Sequence, residues 1–481
     1  MTPRELDDWQ YRLSDRKQPS SIQVGGFWLD LGPGLTAFPL IDAAGTPVGM
    51  LLGFPINLAA RRVIDGPWHL PFTLGEDVDG FVHDILWSLG GRFLLILDCR
   101  GHQRIYPDCS AQVPCVWDPR AGLIGSTAHA LYDDAAYQAR LDRQLLADLG
   151  VEGEGWLPGG LTAHRGLNRL LPGHMLDLAD LTPHRFWPLA QVPQTTDTDA
   201  VVAETVSLVQ AQFEAIINSP KRLGLALTAG HETRLLLACA RPYVGRFDTI
   251  TVVGEDRHTI DTSIARRIGR DMKLNHVELP RLDSTREQYD RFVRRGGHCN
   301  ADGNSHFHPS VWPIAASHTF LGGLGGEVGR AFLWRPADRP DTAMSVDTLT
   351  NRFGLPKIAV VTEALGRWFD ALPPLDAFGI LDLAYLENRM GPWYAVQFCS
   401  DPTLVRMAPL FTYRGVELML SLPPDWKRES RLGHEIIRRH WPELLNYPFN
   451  SLGRWRDTLV KLQKVARNPR IIVKKLRKLR N

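Results

Sequence analysis

Leu223-Gly-Leu-Ala-Leu-Thr-Ala-Gly-His-Glu-Thr-Arg-Leu235 is the stretch whose reading decides the fold. The mostly apolar residues from Leu223 to Leu227 predict a buried strand. Thr228, Ala229 and Gly230 make a small, flexible turn, and Glu232 and Thr233 lead into an apolar run, 235–238, that reads as a helix. A strand passing through a small-residue loop into a helix aims several backbone N–H groups, and the positive end of the helix, at one point. Such a concavity suits phosphate oxygens. Thr228 and Thr233 add hydroxyl donors, and Glu232 adds a carboxylate able to hold Mg²⁺. Neither the Walker spacing nor a G-x-G-x-x-G after a strand is present, so the two common nucleotide fingerprints do not apply. Taken alone, the stretch also fits a plain tight turn in an α/β sheet.

Around this stretch the pattern alternates. Val202, Val206, Val209, Phe213 and Ile216 recur every three or four positions and predict an amphipathic helix leading into the strand. Residues 248–253 read as the next strand, 259–272 as a helix and 275–279 as a further strand. Strand–helix alternation of this kind implies a parallel sheet with helices on its faces, and ligands of such sheets bind beyond the carboxyl ends of the strands. Upstream, residues 22–190 hold short apolar runs punctuated by Gly and Pro, the pattern of a β-rich domain with a few helices such as 78–89. The polar stretch 189–200 reads as a linker, and beyond 340 the pattern is helical, broken at Pro373-Pro374 and Pro423-Pro424.

At 481 residues the chain is too long for one ordinary core, so two domains are expected. An apolar content of 44% with 22% charge fits a soluble globular protein. No unbroken apolar run reaches the roughly 18 residues a spanning helix needs, and the polar N-terminus lacks a signal-peptide core, so a cytoplasmic location is expected. Cys99, Cys109 and Cys115 are spaced unlike a zinc site, and Cys239 reads as a small core residue. The segment 454–481 carries eleven Lys/Arg against one Asp, while the whole chain has a formal charge of +2. Its basic residues alternate with Ile, Val and Leu. It reads either as a solvated docking helix or as an amphipathic segment for an anionic membrane at the inner membrane surface. Nucleic acid is not expected, because Trp455 is the segment's only aromatic residue.

The turn, written T-A-G-H-E-T from Thr228 to Thr233, resembles the S-G-G-x-D-S pyrophosphate loop of the asparagine synthetase-like ATP pyrophosphatases. Further blocks follow in that family's order: 248–253 with Gly254, Glu255 and Asp256 after it, the 259–272 helix, 275–279, FLGGLGGEVGR at 320–330, LENRMGPW at 386–393 and RLGHEIIR at 431–438. Residues 91–98, 125–131 and 161–187 resemble its N-terminal glutaminase-type domain. The resemblance implies an α/β chain with three parts: a degenerate glutamine amidotransferase-like domain at 1–190 with an Ntn-hydrolase-like α+β sandwich, a parallel-sheet ATP-pyrophosphatase domain with a helical extension at 191–453, and the basic tail at 454–481.

By the same resemblance, turns 228–233, 253–256 and 322–327 hold the triphosphate, the adenine and the acyl substrate. Leu227, Thr228, Ala229, Gly230, Glu232, Thr233, Val253 and Gly323 are then the nucleotide-binding positions, with ATP and Mg²⁺ as the cofactors. Glu232 and Glu327 fall where the family has two metal-binding aspartates. Glu327 and Arg431 are the expected catalytic residues, Arg431 standing in for a lysine that LNYPF at 445–449 lacks; a plain surface arginine beside Arg428, Arg438 and Arg439 is its alternative. Leu324 replaces a glutamate tied to the second substrate, which argues against plain asparagine synthesis. The loop 296–309, with His298, Cys299, Asp302, His306 and His308, reads as a polar lining of the acyl cleft, with a zinc site as the alternative.

Residue 2 is Thr2, set on a polar extension, and no cysteine precedes Cys99, so no glutaminase activity is expected. The expected activity is ATP-dependent amide formation: a small-molecule or peptide carboxylate is activated as an acyl-adenylate and then attacked by an amine. Family members without the cysteine include β-lactam synthetases and lasso-peptide cyclases. Macrolactam formation and amidation of a natural product or glycan are therefore the leading expectations. Asparagine synthesis from ammonia and a non-catalytic ATP-binding scaffold are the alternatives.

Overall fold

Five strands form the parallel sheet that the alternation predicts. Across it lie His276–Pro280, Phe247–Val253, Arg222–Ala226, His318–Leu321 and Val405–Met407. All four neighbouring pairs are parallel, with Leu223 opposite Phe247 on one side and Thr319 on the other. In chain order the sheet therefore runs third, second, first, fourth, fifth. The direction of winding reverses beside Arg222–Ala226, and a crevice opens at the carboxyl end of a sheet at such a switch point. At the opposite end, Asp248 is pinned by Arg222 Nε at 2.8 Å, Asn275 Nδ2 at 2.7 Å and His318 Nε2 at 2.9 Å. This polar clamp around the buried Asp248 ties three strands at their amino ends.

The structure is a computed structural model describing residues 5–254, 259–400 and 404–451, without the side chains of 397–400. Thr2, Glu255, Asp256 and the basic tail 454–481 with its expected membrane role lie outside the described residues.

Two further sheets come from the first 185 residues. A six-stranded antiparallel sheet has Tyr11–Ser14 and Leu123–Gly125 at its centre. A larger, mostly antiparallel sheet is centred on Leu89–Cys99, which is almost wholly buried between Pro47–Asn57 and His102–Pro107. The chain is thus mixed α/β, with several sheets of which one is parallel. Tyr11–Ser14 corrects the reading of the first twenty residues as a polar extension, because all four of its residues are buried. Arg12 is satisfied inside, its Nη2 donating to Asp30 at 2.9 Å, and the buried Gln10 just before the strand donates through Nε2 to Thr127 Oγ1 at 3.1 Å.

Helix Thr198–Ile217 begins at Asp197, whose carboxylate caps the Ala200 amide at 2.9 Å. It is long and apolar enough by composition to cross a bilayer, but Val202, Val206, Val209, Phe213 and Ile216 are buried in the core. One continuous hydrophobic cluster runs from Trp9 and Leu95 through Phe213 and Leu236 to Leu444, so the β-rich and parallel-sheet parts share a core. Across that junction Arg185 makes a two-pronged contact with Glu387 at 2.6 and 2.9 Å, and Trp368 Nε1 donates to the same carboxylate at 2.5 Å. Glu387 is 0% exposed.

Candidate active site

The strand Arg222–Ala226 ends where its apolar run does, and Thr228–Gly230 turn the chain into helix His231–Cys239. Gly230 is the N-cap and offers no side chain, so no side-chain hydrogen bond caps this helix start. The turn is organised by its own hydroxyls. Thr228 Oγ1 lies 3.0 Å from Thr233 Oγ1 and accepts from the Gly230 amide at 3.0 Å. The Thr228 amide donates to Thr233 Oγ1 at 3.3 Å, and the Ala229 amide to Asp261 Oδ1 at 2.9 Å. Leu227 is fully buried; its carbonyl accepts from Thr251 Oγ1 at 2.6 Å. Val253 is also buried, with its carbonyl accepting from the Arg281 amide at 2.7 Å.

A second loop follows His318–Leu321 and lies against the first. Only glycine allows this: a β-carbon on Gly323 would meet the Thr233 amide nitrogen, and one on Gly326 would stand 2.8 Å from Glu232 Cγ. This loop carries Glu327, whose Oε2 accepts from the Gly325 amide at 2.9 Å, and then Arg330, whose Nε reaches Glu232 Oε1 at 2.6 Å. Burial, and then the charge of Glu232, push the Glu327 carboxyl up to about 7. Glu232 is also raised by burial, against the pull of Arg330. The two acids thus repel each other in a poorly solvated place. Such a pair fits a hard divalent cation, and Mg²⁺ commonly uses one or two protein carboxylates with phosphate and water completing its shell. Among the described residues, no group of three or more His, Cys, Asp and Glu is arranged to hold a metal ion, which leaves the zinc alternative for 296–309 without support.

Next to these loops is a cleft of about 540 Å³ at the carboxyl ends of the strands. Thr228, Gly254 and Asp261 border it on one side and Gly322 and Leu324 on another. Asn300, Asn304 and His306 of the 296–309 loop also face it. His298 instead contacts Asp302 at 2.8 Å, and Cys299 is fully buried.

The cations are arranged otherwise than expected. Arg431 pairs with Asp425 at 3.0 Å and Glu429 at 2.8 Å on a half-exposed surface, and among the described residues it makes no hydrogen bond or ion pair with the two loops. The cation on Glu232 is Arg330, which lies in the quoted block 320–330 but was assigned no role by sequence reasoning. Arg234 likewise has no role in the sequence reading. Its buried guanidinium donates at 2.6 Å to the carbonyls of Ala229, Tyr447 and Pro448, and it lies 3.7 Å over the Phe449 ring. It thereby fastens the segment 445–449 to the turn Thr228–Gly230. His231 stacks on the same ring at 4.2 Å. Asp261, two residues beyond a Thr259 cap, was also missed. Its signal was weak, since first-turn acids are common at helix starts.

No protein-family model matches the chain, and no curated protein matches it. The fold and the geometry of the site therefore carry the functional reading.

Proposed function

We propose that this protein is an ATP-dependent, amide-forming ligase of the asparagine synthetase-like kind, with an Ntn-hydrolase-like N-terminal part that has no glutaminase role. One observation carries the reading: Glu232 and Glu327, from two loops at the switch point of the parallel sheet, meet at an uncapped helix start beside a cleft of about 540 Å³. The amides at the start of helix His231–Cys239 and the Thr228 and Thr233 hydroxyls suit the pyrophosphate end of ATP. Glu232 and Glu327 would hold Mg²⁺, which supplies charge neutralisation there. The cleft has room for the nucleoside and a carboxylate. In the first step a carboxylate oxygen bonds to the α-phosphorus while the bond from that phosphorus to the bridging oxygen breaks and pyrophosphate leaves. An amine then displaces AMP. Leu324 removes an acid from the acyl side of the cleft, which favours an amine carried by a larger molecule over free ammonia.

A second reading, a nucleotide-binding scaffold without turnover, draws on the engaged state of the turn: the Ala229 amide is occupied by Asp261 and Glu232 by Arg330. The test is pyrophosphate release from ATP and Mg²⁺ with panels of carboxylates and amines. Release that is lost in Glu327→Gln supports the ligase. ATP binding without release in any panel supports the scaffold, and release of ADP and phosphate sinks both.

A further inference from the structure

Phosphates leaving a buried site need a cation beside them, and the structure places several arginines near the turn. Arg234 is spent on backbone carbonyls and Arg431 on Asp425 and Glu429. Arg330 differs. It ends the single turn Gly326–Arg330, one turn beyond Glu327, and its Nε stands 2.6 Å from Glu232 Oε1. Its terminal nitrogens make no hydrogen bond among the described residues, and its side chain is 26% exposed, at the border of the site rather than in the core. The partner of Arg330 is also unlike the others, because Glu232 is one of two crowded carboxylates suited to a divalent cation.

We propose that Arg330 is the phosphate-handling cation of this site: it pairs with Glu232 when no nucleotide is bound and turns its guanidinium to the phosphate oxygens when a divalent cation claims Glu232. The inference rests on the nucleotide reading above and adds to it a residue and an exchange of partners. A guanidinium fork matches phosphate oxygens in pairs, and two terminal nitrogens that donate to no described residue can serve as that fork. The exchange keeps Glu232 neutralised in both states, so neither state leaves a buried carboxylate alone.

The test uses inorganic pyrophosphate as the probe, with binding followed calorimetrically and each variant's fold checked by thermal melting. With Mg²⁺, Arg330→Gln should weaken binding about ten- to a hundredfold, the range for a charged hydrogen bond, and Arg330→Lys should recover part of it. In EDTA, Glu232→Gln frees Arg330 and should tighten metal-free pyrophosphate binding. That gain should vanish in the Glu232→Gln/Arg330→Gln double variant. A merely structural ion pair would not show this dependence. Wild-type affinity in Arg330→Gln, a gain in EDTA that survives without Arg330, or a loss confined to Arg431→Gln would each overturn the inference while leaving the nucleotide reading intact. Failure of the wild type to bind pyrophosphate or ATP at all removes that reading and this inference with it.

Discussion

A β-carbon on Gly323 would stand 2.7 Å from the amide nitrogen of Thr233. The two loops that bring the acids together therefore touch backbone to backbone, with no room for a side chain between them. Gly323→Ala should push the loops apart. Because the strain falls on the loops at the end of the sheet rather than among its strands, the melting temperature should fall modestly while ATP or pyrophosphate affinity drops at least tenfold, about 1.4 kcal/mol. Unchanged affinity in a folded Gly323→Ala protein would show that the contact is not needed for the site.

Arg234 offers a test of what shapes the turn. Arg234→Met keeps the apolar stem but leaves the carbonyls of Tyr447 and Pro448 without their donor, while the Ala229 carbonyl keeps the Asn450 amide at 3.0 Å. At about 1–3 kcal/mol for each buried group left unpaired, the variant should lose about 2 kcal/mol or more in urea denaturation. A loss below about 1 kcal/mol would mean that water replaces the guanidinium.

The raised carboxyl of Glu327 gives a pH dependence with a definite sign. Its unperturbed value is 4.5 and burial with Glu232 lifts it to about 7. Without metal, the native state holds this proton across that window while the unfolded chain releases it, so the contribution to stability is lost as pH rises from 4.5 to about 7. A divalent cation competes with the same proton. Mg²⁺ should therefore raise the melting temperature more at pH 8 than at pH 6, with an affinity falling about tenfold per pH unit below 7. Equal stabilisation at both pH values would separate Glu327 from the metal.

Glutamine should not be hydrolysed. A cysteine nucleophile needs access and a depressed pKa. The five described cysteines, Cys99, Cys109, Cys115, Cys239 and Cys299, are all buried, and burial raises every one of their thiols. Glutamate release above the rate without protein, sensitive to iodoacetamide, would contradict this.

The parallel sheet was legible because the run 222–280 repeats a local pattern, apolar strand then amphipathic helix, and each element is long enough to show its period. The fifth strand, Val405–Met407, has three residues and exists because a neighbour pairs with it, so no period announces it. Tyr11–Ser14 was hidden for a different reason. Arg12 marks it as surface until Asp30, eighteen positions away, is seen to neutralise it. Of the two acids, Glu232 could be picked out by type and position in its loop, and Glu327 only through the resemblance of 320–330 to a family block. Their cation could not, since Arg330 is distinguished from the other arginines only by the tertiary contact with Glu232.

The Arg185–Glu387 contact has a consequence for how the molecule is taken apart. Cutting the chain between its β-rich and parallel-sheet parts would strand a fully buried carboxylate without its counter-charge and open a shared apolar surface to water. The first part, though it supplies none of the residues around Glu232 and Glu327, then acts as an obligatory foundation. Neither fragment should accumulate on its own in cells, co-expressed fragments should reassemble, and calorimetry of the intact chain should show a single cooperative melt.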